Sequence, residues 1–170
     1  MPLPEFADPY VGTTTIVFTD MVGSTAMSAS MNDQEWSRLI ANHLGLLEGI
    51  VADEGGSVVK TLGDGAMFAF SSASAALNAA RRIQEAMEQS GTEIRIGAHT
   101  GDVVHDQDDY VGLTVAKAAR VAAAAKGGQI LVSSTTAGLV SDLEFEFGTP
   151  LTFELKGLDG THQLQPLNWS

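Results

Sequence analysis

The sequence predicts an α+β domain in which a mainly antiparallel sheet has helices packed on it. Three observations support this prediction. Short runs rich in β-branched and aromatic residues, typical of strands, alternate with longer runs whose apolar residues recur at helical spacing. Glycine-containing turns separate these runs. An Asp-Gly pair stands between two neighbouring apolar runs, as in a β-hairpin.

The composition is that of a single globular domain. The chain has 170 residues, of which 44% are hydrophobic and 18% are charged. A domain of this length buries about 70% of the surface of its extended chain, so it needs no disulfide or metal for stability. The first eleven residues contain three prolines and show no periodicity. We therefore expect an N-terminal arm over residues 1–11 and one folded domain over residues 12–168.

Charge and cysteine content exclude several classes of function. The 21 acidic and 9 basic residues give a formal net charge of −12, which repels nucleic acid and anionic lipid. The absence of cysteine excludes disulfides, thiolate metal sites and a cysteine nucleophile. The chain has no signal-peptide pattern and no apolar run long enough to cross a membrane. We expect a cytoplasmic protein without direct membrane insertion. The alternative, that the domain comes from a longer membrane-tethered parent chain, stays open.

The first predicted strand, Thr13 to Thr19, ends at Asp20 and runs into a tight turn containing Gly23, Ser24 and Thr25. An amphipathic helix is predicted from Asp33 to Ala52, with Asn32 or Asp33 as its cap and Gly55-Gly56 as its end.

A hairpin follows over Val58 to Phe70, which reads VVKTLGDGAMFAF. We expect Gly65 to adopt a positive φ in its turn, beside an Asp64 that tolerates the left-handed region.

The second helix is predicted over Ser72 to Gln89, closed by Gly91. The strand Glu93 to Thr100 comes next, with Asp102 to Val104 pairing back on it. The resulting βαββαβ order is the ferredoxin-like pattern, an antiparallel sheet with helices on one face.

Further helices and strands are predicted after this core. A third helix, Leu113 to Ala125, is ended by Gly127-Gly128. The remaining predicted pieces are a short strand, a short helix and three extended segments: Gln129–Val132, Ser134–Leu139, Glu144–Phe147, Leu151–Leu155 and His162–Pro166.

Two carboxylates are the first candidates for chemistry. If the strand ending at Asp20 lies beside the hairpin, its carboxylate and that of Asp64 meet at one sheet edge. They could then share two hard cations about 3.5 to 4 Å apart, as in phosphoryl and nucleotidyl transfer. The amides of Gly23, Ser24 and Thr25 could face a phosphate. The alternative, that Asp20 is only a turn or cap residue, stays open.

Two cations complete the candidate set, each with a structural alternative. Lys60 lies inside a strand, where a lysine commonly extends its ammonium to solvent. Arg120 lies on the third helix, four residues after Ala116, and could simply occupy a solvated face.

Taken together, these segments resemble the class III nucleotide cyclase catalytic domain, in its bacterial and mycobacterial form. IVFTDMVGST is similar to the family's first metal-binding segment, and VVKTLGDGAMFAF to its lysine and second-metal hairpin. DDYVGLTVAKAAR is similar to the signature that ends in a transition-state arginine. The segments occur in family order, and the resemblance covers about residues 12–166.

The resemblance implies a role for each matching residue. Asp20 and Asp64 would hold two metal ions, magnesium or manganese, and Lys60 and Asp109 would read the purine. Arg120 would stabilise the pentacovalent phosphorus, and Lys156 would bind phosphate. Family members are active as head-to-tail dimers, in which the metal aspartates come from one subunit and the purine-reading and transition-state residues from the other. A homodimer of this chain would therefore have two sites. His99 and His105 are interpreted as strand and loop residues without a catalytic role.

The purine pair predicts the substrate. Adenine presents an acceptor at N1 and a donor at its amine, which complement a protonated lysine and an ionised aspartate, whereas guanine reverses both. Lys60 with Asp109 therefore predicts ATP, converted to 3′,5′-cyclic AMP and pyrophosphate by an adenylate cyclase. A fused or separate regulatory domain is an open possibility.

One residue departs from the family pattern. Ala116 occupies the position of an asparagine that orients the ribose. Loss of one such hydrogen bond costs roughly 1.5 to 3 kcal/mol, or about 10- to 100-fold in rate. This predicts a slow enzyme. The alternatives are an inactive cyclase-like module for nucleotide binding or dimerisation, and a guanylate cyclase.

Overall fold

A computed structural model describes residues 10–170, and side-chain burial is described from Gly12 onward. It contains eight strands and five helices. The strands are β1 Tyr10–Met21, β2 Ser57–Leu62, β3 Gly65–Phe70, β4 Ile94–Asp106, β5 Asp109–Val111, β6 Ile130–Ser133, β7 Leu151–Glu154 and β8 Thr161–Pro166. The helices are α1 Ser24–Ala29, α2 Asp33–Asp53, α3 Ala73–Ser90, α4 Leu113–Ala124 and α5 Ser134–Ala137.

The eight strands form one sheet in the order β2-β3-β1-β4-β6-β8-β7, and β5 pairs with β4 outside this path. All pairings are antiparallel except that of β4 with β6. The mainly antiparallel α+β fold is thus confirmed, and β6, β8 and β7 extend the βαββαβ core at one edge.

Alternate residues of the strands enter different cores because neighbouring side chains of a strand point to opposite faces. Val17 packs with the residues of α2 and α3, whereas its neighbour Ile16 packs with Met67 and with Ala118 of α4. The two helices of the βαββαβ unit therefore cover one face, and α4 covers the other. Gly97 allows this approach, because a Cβ there would overlap the backbone of Ala122 on α4.

Local capping signals place the two long helices. The Asn32 side chain accepts from the Glu35 amide, and the Glu35 carboxylate accepts from the Asn32 amide, which forms a capping box. Gly91 ends α3 at a φ of 76°, as a glycine C-cap does. Both helices agree with the predicted ranges to within a residue.

Four local expectations differ from the structure. His105, interpreted as a loop residue, lies inside β4 and pairs with Tyr110 of β5. Asp102 to Val104 does not pair back on the preceding strand, because β4 continues through these residues along β1. The strand β5 makes the return instead. Gly63, with a φ of 66°, supplies the positive φ of the hairpin turn in place of Gly65. The loop after Asp20 leads into the short helix α1.

The remaining expectations concern the chain ends. Residues 1–9 of the predicted arm lie outside the described part of the chain, and β1 begins at Tyr10.

Among residues 10–170, every helix is too short or too polar for a membrane crossing.

Candidate active site

Asp20 and Asp64 are brought together by the pairing of β1 with β3. Thr19 lies opposite Ala66, so the turn that carries Asp64 borders the end of β1. Gly65 permits this contact, because a Cβ at that position would collide with the carbonyl oxygen of Thr19. The hairpin turn can therefore lie directly against the backbone that carries Asp20.

The electrostatics of this pair favour a bound cation. Partial burial and the Asp64 charge raise the pKa of the Asp20 carboxyl, and Arg95 opposes the shift. A raised carboxyl pKa means that the negative charge is incompletely compensated. Carboxylates are the ligands that magnesium and manganese prefer, so the pair fits divalent metal. Over residues 10–170, no cluster of three or more ionisable metal ligands occurs, so the remaining ligands of a metal here would be backbone, water or substrate oxygens.

Arg95 is a site residue that the sequence did not reveal. It lies opposite Asp20 in the β1–β4 register, and its guanidinium donates to the Asp20 carboxylate at 2.9 Å. The sequence signal is weak, because an arginine at a polar position of an alternating strand is ordinary. Only the register identifies its partner.

His43 is a second residue that the sequence did not single out. It lies on α2 and is 8% exposed. Burial lowers the pKa of its imidazole, and the nearby Asp64 partly offsets this by raising it. Its Nε2 and the Thr19 hydroxyl are buried without a hydrogen-bond partner in the described part of the chain. Two unsatisfied polar atoms thus lie on residues that adjoin the carboxylate pair.

Lys60 and Asp109 form a second polar group. The Lys60 ammonium donates to the Asp109 carboxylate at 2.9 Å, and this bond holds the pKa of the carboxyl below its usual range. The two side chains are 40% and 37% exposed, so a ligand can reach both. Lys60 lies opposite Met67, which places its side chain on the α4 side of the sheet. Alternation from Ile16 places Asp20 on that same side.

The other predicted residues are accessible. Arg120 and Ala116 are exposed one turn apart on α4, and Lys156 is exposed in the turn after β7. Gly23 has a φ of 74° and precedes α1, whose first residues are Ser24 and Thr25. The amide of Val22 is tied to the Glu93 carbonyl at 2.9 Å, which anchors this loop to the start of β4.

The structure therefore assembles two groups, Asp20 with Asp64 and Arg95, and Lys60 with Asp109. Within residues 12–170, no hydrogen bond or ion pair joins one group to the other, or joins Arg120 or Lys156 to either.

The comparisons with known proteins identify the family of the chain. The family model described as the adenylate and guanylate cyclase catalytic domain matches residues 7–166. A receptor-type adenylate cyclase of Trypanosoma congolense is 32% identical over 78% of this chain, and an adenylate cyclase of Streptomyces griseus is 33% identical over 71%. The matches cover only 24% and 31% of those relatives, so the chain spans less than a third of their length.

A solved structure supports the fold over nearly the whole chain. The catalytic core of a rhodopsin-guanylyl cyclase with converted specificity, in complex with ATPalphaS, superimposes with a TM-score of 0.87. The match is 25% identical and covers 94% of this chain and 97% of that one. On these grounds, and because the family model spans most of its length, the chain belongs to the adenylate and guanylate cyclase catalytic domain family.

Proposed function

We propose that this domain is an adenylate cyclase that converts ATP to 3′,5′-cyclic AMP and pyrophosphate as a homodimer. The observation that carries the proposal is that the α4 side of the sheet bears the accessible Lys60–Asp109 pair and Asp20, whose carboxylate is electrostatically coupled to that of Asp64. Adenylate cyclases among the relatives support it, as does the similar core in complex with ATPalphaS. ATP is an intracellular nucleotide, so the proposal also places the domain in the cytoplasm.

Asp20 and Asp64 would hold two divalent metal ions, Mg²⁺ or Mn²⁺. When bound, such ions make the ribose 3′-hydroxyl more acidic and neutralise phosphate charge. The carboxylates supply oxygen ligands, and Arg95 orients Asp20 through their 2.9 Å bond. The closely spaced negative charges leave a net attraction for cations at this edge of the sheet.

Three further groups would act on the phosphates. The exposed guanidinium of Arg120 would stabilise the charge that develops at the α-phosphorus during in-line attack. The exposed Lys156 and the amides of Gly23, Ser24 and Thr25 would hold the β- and γ-phosphates as pyrophosphate leaves.

The choice of ATP rests on the purine pair. The ammonium of Lys60 offers a donor to adenine N1, and the carboxylate of Asp109 accepts from the adenine amine. Guanine would leave both groups mispaired, at a cost of about 1 to 3 kcal/mol each.

A homodimer would bring the two groups into one active site. In the proposed arrangement, the carboxylates of one subunit face Lys60, Asp109 and Arg120 of a second copy, so each dimer has two sites. Control by a fused or separate regulatory domain also stays a prediction.

A turnover assay tests the activity. Purified protein with ATP and Mn²⁺ should form cyclic AMP, and Asp64→Ala should abolish formation. Asp142→Ala, which removes an exposed carboxylate from a loop away from the site, serves as the matched control. Absence of product from the folded wild-type protein at high concentration would refute the proposed activity.

Mixing variants tests whether the sites are shared. Asp20→Ala and Arg120→Ala should each be inactive alone, and an equimolar mixture should regain one intact site in each mixed dimer. If two folded variants fail to complement each other, the sites do not span two subunits.

A nucleotide-binding module without turnover is the second candidate, and Ala116 favours it, because the ribose-orienting asparagine is absent. Saturable ATP binding with no product would favour that function. Competition between ATP and GTP in the same assay decides between adenylate and guanylate cyclase activity.

A further inference from the structure

A cavity of about 590 Å³ lies between β4, α4 and the loop that joins β7 to β8. We call it the His99 cavity. Its volume falls within the range of small-molecule sites. The polar side chains on its wall include His99, Thr114, Lys117, Thr135, Asp159 and His162. None of these residues belongs to the proposed cyclase site.

The proton positions on His99 follow from a chain of buried hydroxyls. Thr15 contacts Thr100 at 2.8 Å, Thr100 contacts Thr136 at 2.9 Å, and Thr136 contacts Ser133 at 3.1 Å. The Ser133 oxygen then lies 2.6 Å from Nδ1 of His99. Four hydroxyl protons are available for these four contacts.

Only one donor-to-acceptor direction along this row of hydroxyls uses every hydroxyl proton. If each hydroxyl donates toward the ring, Ser133 donates to Nδ1, and every contact is made. If Nδ1 carried the proton instead, the Thr15 hydroxyl would be left as a buried donor with no acceptor among the described residues. The ring proton therefore belongs on Nε2. Burial, together with Lys117 and His162, lowers the pKa of His99 to about 4, so the ring is neutral near pH 7.

The Nε2–H group of His99 points away from Ser133, and His99 is one of the residues that form the cavity wall. The His99 residue is 8% exposed, and its Nε2 has no hydrogen-bond partner among the described residues. This donor can therefore bind water or a ligand in the cavity.

Lys117 adds a charge to the same wall. Within residues 12–170 it belongs to no ion pair, and burial lowers the pKa of its ammonium. Its charge acts on His99, so the two groups are near neighbours. Asp159 also lines the cavity and forms no ion pair with Lys117, and its backbone carbonyl accepts from Nε2 of His162 at 3.1 Å.

We propose that the His99 cavity binds a small oxyanion, a ligand with carboxylate or phosphate oxygens, between the Nε2–H of His99 and the ammonium of Lys117. Both groups donate, so a ligand that only accepts and carries negative charge satisfies them together. Gly157 and Leu158 also line the cavity and directly follow Lys156, so the cavity adjoins the turn that carries the proposed phosphate lysine.

Histidine side-chain NMR on nucleotide-free protein tests the proposal without any turnover measurement. Inorganic phosphate and malonate are titrated in separate arms, which distinguishes a phosphate ligand from a carboxylate ligand. The free protein should show His99 with its proton on Nε2, and one of the two anions should shift the His99 signals saturably with a Kd of about 10 mM or tighter.

The variants provide the matched comparison. Lys117→Gln should weaken binding about tenfold or more, as expected for loss of one charged hydrogen bond. Lys126→Gln, which removes an exposed lysine shortly after α4, should leave the affinity unchanged. A free-protein tautomer with the proton on Nδ1 would overturn the proposal. So would the absence of a saturable shift in both arms, or equal affinities of the two variants.

Discussion

Replacing Lys60 by methionine removes one charge from the Lys60–Asp109 pair and keeps most of the side-chain length. The two side chains are 40% and 37% exposed, so the ion pair contributes about 0.2 to 1 kcal/mol to stability, as exposed pairs do. For a domain of this size, that loss lowers the melting temperature by roughly 0.5 to 4 °C. The fold should therefore survive the substitution.

The same substitution should affect ATP turnover far more. If Lys60 donates to adenine N1, the variant loses a charged hydrogen bond worth about 1.5 to 3 kcal/mol in the transition state. This corresponds to a fall in kcat/KM for ATP of about 10- to 150-fold. The preference for ATP over GTP should fall as well, because the variant no longer opposes the guanine N1–H.

The assay measures kcat/KM for ATP and GTP beside a thermal melt of each protein. Lys126→Met makes the same chemical change at an exposed lysine outside the pair, and it should change neither quantity. Two results would refute the reasoning. In one, Lys60→Met retains the ATP kcat/KM of the control. In the other, its melting temperature falls by more than about 10 °C, which would make the pair structural.

Three further substitutions test other parts of the site. Ala116→Asn places an amide on an exposed position of α4, and kcat should rise about 10- to 100-fold; an unchanged kcat would show that the missing asparagine does not limit the rate. Asp20→Asn removes a carboxylate whose pKa is raised by burial and by Asp64, so the metal-free melting temperature should rise roughly 1 to 4 °C. Mn²⁺ should then stabilise the wild type but not the variant, and a retained metal response would exclude Asp20 as a ligand. Gly65→Ala should cost about 1 to 3 kcal/mol in the denaturant-measured free energy of unfolding, because its Cβ meets backbone, whereas Gly45→Ala, which has open space in α2, should gain about 0.5 to 1 kcal/mol. Equal effects of these two alanines would contradict the close approach at Gly65.

Local signals predicted the two long helices well. The predicted range of α2, Asp33 to Ala52, differs from the observed Asp33–Asp53 by one residue, because a capping box and a glycine stop lie within a few residues of its ends. The strand β4 was harder to predict. Its Gly101-Asp102 pair has the composition of a turn, yet the strand continues there because Thr13 and Thr14 of β1 pair with it.

The residue types of the candidate site were likewise readable, but most of their partners were not. Lys60 and Asp109 are 49 positions apart, and Asp20 and Arg95 are 75 apart. The first pair could be named beforehand through the resemblance to a family. The second could not, because an arginine on a strand carries no sign of the residue opposite it.

The sequence by itself determined the βαββαβ order of the core, the hairpin, the ends of the two long helices and the set of polar residues that chemistry could use. These depend on periodicity and on residues within a few positions of each other. The tertiary structure decided the strand register, the placement of α4 on the face opposite α2 and α3, and the cavity that His99 and Lys117 both line. These depend on contacts between distant segments. In a sheet, a shift of one residue turns every side chain to the other face, so such contacts follow from the packing of the whole chain.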